Sequence, residues 1–174
     1  MKRYVLALAC VLLALTGLGQ AQTTTLTVAV GPEAALSVAA ATTPLATTST
    51  NFGSPFTGTT TMTYTIRTSK STGTGAITVQ ITSDFSGAGG PSVGNPPSAG
   101  DALTYTCAVS APGTPCSGAQ TAATKSATAV GSFGAGASSG KSGNSASVSW
   151  SLTDDPVYAT GTYAATATFT ISAA

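Results

Sequence analysis

The sequence predicts an all-β protein, an antiparallel sandwich of seven or eight strands. Three observations carry this expectation. Apolar and small polar residues alternate with a period of two in six separate runs, the period at which successive strand side chains point to opposite faces. Thr, Ser, Ala and Gly supply 33, 21, 31 and 20 of the 174 residues, and β-branched Thr suits a half-solvated pleated surface. The only helix candidate, the Ala-rich stretch 34–41, is short and lies between Pro32 and Pro44.

The chain opens with an expected export signal. Lys2 and Arg3 precede an uncharged apolar run from Tyr4 to Leu18, and Gly19-Gln20-Ala21 offers small residues for cleavage after Ala21. That run is about 15 residues, short of the roughly 20 that cross a bilayer. A signal peptide over 1–21 and one domain over 22–174 follow, with the mature chain secreted or held at a bacterial cell surface and carrying no membrane segment. Its four basic residues (Arg67, Lys70, Lys125, Lys141) face five acidic ones (Glu33, Asp84, Asp101, Asp154, Asp155), a net charge of −1. Nothing there attracts nucleic acid or anionic lipid.

The first expected strand is Thr23–Val30, where Leu26, Val28 and Val30 alternate with Thr25, Thr27 and Ala29. It is expected to pair within its own sandwich, although the edge of a neighbouring copy is an alternative partner. A weaker candidate covers Ala35–Ala40. Met62, Tyr64 and Ile66 form the inward face of the next run, and Ile77, Val79 and Ile81 that of the one after. Ser71-Thr72-Gly73-Thr74-Gly75 between them reads as a hairpin loop. Leu103, Tyr105, Cys107 and Val109 mark a further strand, Ser126–Phe133 a weaker one, and Val148, Trp150 and Leu152 another. The last run carries Tyr163, Ala165, Ala167, Phe169 and Ile171. Asp154-Asp155-Pro156 and Gly161 are expected to close the final two strands. Ser86–Gly100 and Gly134–Asn144, rich in Gly, Ser and Pro, are expected as exposed loops. Alternating strands of this number suit two sheets packed by their apolar faces; a small barrel is the alternative.

Cys107 and Cys116 flank eight residues, and in an oxidising compartment they are expected to form a disulfide. The third cysteine, Cys10, lies in the signal.

Catalytic chemistry is scarce. With no histidine in the chain, a Ser-His-Asp triad, a Cys-His pair and imidazole metal ligation are all excluded. Asp154 and Asp155 are adjacent in a turn, so they do not face each other across a cleft as glycosidase carboxylates do. Loop carboxylates and carbonyls there suit a Ca²⁺ ion, although no third or fourth acid lies nearby in sequence. Asp84 and Asp101 flank the long glycine loop. Gly136 to Ser142 approximates a phosphate-binding loop, but its spacing is short and no helix follows it. No catalytic residue, metal ligand or cofactor is assigned. Trp150, the sole Trp, reads as core. Phe52 and Phe56 are expected to fold under the sandwich edge.

The C-terminal third carries a resemblance. Val148-Ser-Trp150-Ser-Leu152, followed by Tyr163 and then Phe169-Thr-Ile171, resembles the paired motifs of WxL-type surface proteins, with Phe169-Thr-Ile171 standing where their second Trp-x-Leu lies. Gly161-Thr-Tyr163 with the alternating threonines after it is also similar to spore coat U-like and fimbrial subunits. The resemblance implies a secreted immunoglobulin-like sandwich, with Trp150, Leu152, Tyr163, Phe169 and Ile171 as motif or binding residues. Two functions fit. One is an exported structural or adhesive protein acting by strand pairing and surface contacts, through self-association. The other is a module that binds a cell-surface polymer, cell wall or carbohydrate.

Overall fold

The computed structural model describes residues 23–48 and 50–174. The expected export signal and its cleavage site lie outside the described residues. Within them there is no helix, and nine strands form two antiparallel sheets. These are β1 (Glu33–Val38), β2 (Phe56–Arg67), β3 (Gly75–Ser83), β4 (Thr104–Val109), β5 (Thr114–Pro115), β6 (Gln120–Thr121), β7 (Thr128–Phe133), β8 (Asn144–Leu152) and β9 (Thr166–Ala173). The first sheet has the order β1-β2-β8-β4-β6, the second β5-β7-β3-β9. The expected all-β sandwich is what the chain forms.

Alternation explains the layering. On β2 the odd-numbered residues from Thr57 to Arg67 face solvent, while Met62, Tyr64 and Ile66 are buried. Across from them Ile77, Val79 and Ile81 of β3 and Val130 and Phe133 of β7 close the interior, joined by Val148, Trp150 and Leu152 of β8. Full burial of such side chains stabilises the fold by about 1.5–3 kcal/mol each. Aromatic rings bridge the two sheets. Tyr64 meets Phe133 with centroids 5.2 Å apart, and Trp150 meets Phe169 at 6.4 Å.

Four expectations change. Residues 71–75 do not close a hairpin: β2 belongs to the first sheet and β3 to the second, so this turn carries the chain between layers. The turn is tight, since a Cβ on Gly73 would come 2.4 Å from the backbone N and O of Ser69. Residues 153–165 likewise cross from β8 to β9, between sheets. Turn residues encode reversal of the chain but not the sheet that receives it. The third change concerns Thr23–Val30, which pairs with neither sheet; all eight residues are exposed. Phe52, too, stays out at 58% exposure, with φ of +59°, while Phe56 packs partly against the core.

Cys107 and Cys116 form the expected disulfide, with Cα atoms 5.5 Å apart. Cys107 lies on β4 of the first sheet. The Cys116 N–H donates to Val130 O on β7 of the second (2.9 Å). The bond therefore joins the two sheets at one edge.

Candidate functional site

The opposite edge is built differently. Among the described residues β1 is paired only with β2, and β9 only with β3, so each offers one free edge. The two strands approach each other there without a ladder between them. Ala34 and Leu36 of β1, with Ala167, Phe169, Ile171 and Ala173 of β9, point toward the core but stay half-buried. Their neighbours on β3 are fully enclosed: Ile77 is 0% exposed and Val79 1%. The apolar interior is thus thinly covered along this seam.

Immediately before β1 runs the unpaired arm Thr23–Val30. Leu26 is 91% exposed, Val28 83% and Val30 63%. Three large apolar side chains at alternate positions of an unpaired segment, all in water, are unfavourable unless something covers them. The end of the arm is anchored: Arg67 Nε donates to Gly31 O (2.8 Å), and its guanidinium pairs with Glu33 at 3.0 Å. At about 3.3 Å per residue the eight-residue arm is as long as the eight-residue β9.

The motif residues are mostly interior. Trp150 is 6% exposed and Leu152 4%. The Trp150 indole N–H donates to Thr60 Oγ1 (2.9 Å), itself 2.7 Å from Thr43 Oγ1, and the ring packs on Tyr105 at 5.3 Å. Phe169 and Ile171 line the seam on β9. Tyr163 stands apart from these four, in the loop ahead of β9, which starts at Thr166. Its hydroxyl donates to Ala159 O (2.7 Å), and a Cβ on Gly90 would come 2.1 Å from its ring. Tyr163 therefore clamps the glycine loop, and only glycine fits beneath it.

The acidic residues separate into two roles. Asp84 closes the head of the loop after β3. Its carboxylate accepts from the N–H groups of Phe85, Val93 and Gly94 and from the Ser92 hydroxyl, all between 2.7 and 2.9 Å. Burial raises its pKa, but these four donors outweigh burial and leave it below the ordinary value of 3.8. Asp155 accepts from Val157 N–H (2.7 Å), an Asx turn at Pro156. Asp101 does not join Asp84 in this role: its side chain meets Asp155 and Tyr158. That juxtaposition had no sequence signal, since the residues lie on separate loops.

A surface depression of about 450 Å³ lies at the end of the first sheet, between Ala39, Met62, Val109 and Ala146, and its walls hold no titratable side chain. Among the described residues no helix is long and apolar enough to cross a membrane. No family model, curated protein or solved structure matches the chain.

Proposed function

We propose that this protein is an exported structural or adhesive subunit of a bacterial cell surface that works by strand pairing between copies, and that it is not an enzyme. The observation that supports this reading is the exposed apolar arm Thr23–Val30 on a domain with a free, half-covered seam. In the proposed assembly the arm of one copy lies along the free edge of β9 in the next. Its backbone extends the second sheet, and Leu26, Val28 and Val30 cover Phe169, Ile171 and Leu36. Main-chain bonds supply affinity in such strand addition, and the alternate side chains set the register. Disulfide formation and the low charge of the chain fit an extracellular setting. The other reading, a cell-wall or carbohydrate module working through a sandwich face or the loops 86–100 and 134–144, would be favoured by an exposed Trp150, which is instead buried.

Light scattering on the chain from residue 22 onward, against a variant lacking 23–30, tests the reading. Concentration-dependent oligomers of the longer chain, absent from the shorter one, are expected. A strictly monomeric longer chain at millimolar concentration would refute self-association.

A further inference from the structure

We propose that Asp101 and Asp155, with the oxygens of Ser98 and Tyr158 beside them, form a binding site for a hard divalent cation of the Ca²⁺ type. The site is independent of the seam and of the arm. Asp101 is 2% exposed, and its Oδ2 has no hydrogen-bond partner. The Tyr158 hydroxyl is also buried and faces the Asp101 carboxyl, but the two make no hydrogen bond of acceptable geometry. A buried carboxylate oxygen without a partner is strongly unfavourable. Here the surroundings worsen it, because the charges acting on Tyr158 are those of Asp101, Asp155 and Asp154, all negative. Burial is the largest cause that raises the Tyr158 pKa, with Asp101 next, so the phenol stays protonated.

No basic group is among the charges acting on Tyr158, and Arg67, at the opposite end of β2 from Leu152, is paired with Glu33. Oxygen donors, by contrast, converge. The Ser98 hydroxyl reaches the Asp155 carboxyl and is the largest influence holding its pKa low. Thr153 Oγ1 donates to Gly100 O (3.1 Å), which brings the two loops together beside the pair. No three acidic side chains gather closely enough here to hold one ion. The site therefore has two carboxylates, with hydroxyl or carbonyl oxygens and water completing the six to eight ligands that Ca²⁺ takes. Such a charge count fits the weak range of extracellular modules, about 10⁻⁴–10⁻³ M. A bound ion would tie the loop ending at Asp101 to the turn at Asp155, loops already joined by Ala159 N–H to Gly89 O (2.7 Å).

Two measurements on the chain from residue 22 test this. In thermal unfolding, Ca²⁺ at about ten times its dissociation constant should raise the midpoint by roughly 3–6 °C, with Mg²⁺ much weaker. Asp101→Asn should abolish that increment while raising the midpoint measured in chelator, because it removes one of two facing charges. Glu33→Gln, which removes a charge elsewhere, should keep the increment. Independently, Tb³⁺ should luminesce on excitation of the aromatic residues, be displaced by Ca²⁺, and lose most of its signal in Asp101→Asn. An unchanged Ca²⁺ increment in Asp101→Asn, equal effects of Mg²⁺ and Ca²⁺, or no displaceable Tb³⁺ signal in the parent chain would each overturn the proposal.

Discussion

Replacing Thr60 by Val changes almost no volume and yet should be among the more damaging single substitutions in the first sheet. Thr60 is 7% exposed and its Oγ1 accepts from the Trp150 indole N–H at 2.9 Å, in a buried setting. Val matches the shape of Thr, so no cavity opens and the apolar contacts persist. What disappears is the oxygen that accepts the indole N–H. A buried donor left without an acceptor costs about 1–3 kcal/mol, and Thr43 Oγ1, 2.7 Å away, loses its partner as well. For a domain of this size about 2 kcal/mol corresponds to roughly 4–8 °C in the unfolding midpoint. Urea titration followed by the fluorescence of the single Trp reads both the midpoint and the environment of Trp150. Thr60→Ser keeps the hydroxyl and should recover much of the loss. Equal stability of Thr60→Val and the parent chain would refute the claim that this hydrogen bond supports the core.

Two more substitutions probe the loop after β3 and the margin of β2 beside Pro44 and Leu45. Asp84 has a folded-state pKa below its unfolded value, so its contribution is present above about pH 4 and is lost as pH falls through the folded value. Asp84→Asn should lower stability at pH 7 and flatten the acid limb of a stability–pH curve, and an unchanged acid limb would count against the four-donor cradle. At Gly58 a Cβ would come 2.4 Å from Pro44 O and 2.8 Å from Leu45 Cδ2. Gly58→Ala should therefore destabilise by about 1–3 kcal/mol and loosen the bridge between Ala46 and Thr57, measurable as faster amide exchange at Ala46.

Period-two patterning was legible wherever a strand was long. The inward faces of β2, β3, β4 and β8 follow directly from the apolar positions, as does the burial of Trp150. Two-residue strands such as β5 and β6 are too short to carry any period. Pairing is a different matter from patterning. Ser71–Gly75 declares a reversal, but the choice between hairpin and sheet crossing depends on how the whole interior closes. The same limit applies to Thr23–Val30: its alternation declares a strand, while the partner edge is set by three-dimensional context. The acidic pair is the clearest case. Asp154 and Asp155 are visible in the sequence, but Asp101 reaches Asp155 only because the loops after β3 and after β8 meet at one end of the sandwich.

The Cys107–Cys116 bond gives the sandwich a mechanical polarity. It rivets the layers together along the side of β4, β5 and β7, whereas the margin formed by β1 and β9 has no covalent tie among the described residues. The molecule resembles a bound book, with a fixed spine and a free fore-edge. Spreading of the layers about the riveted side would widen the gap where Phe169 and Ile171 lie and leave shut the Trp150–Tyr105 contact, which lies within the first sheet. A load applied through β1 and β9 would accordingly be carried by the hydrogen-bond ladders of β2 and β3, in shear along the strands, and would not pass through the sulfur atoms.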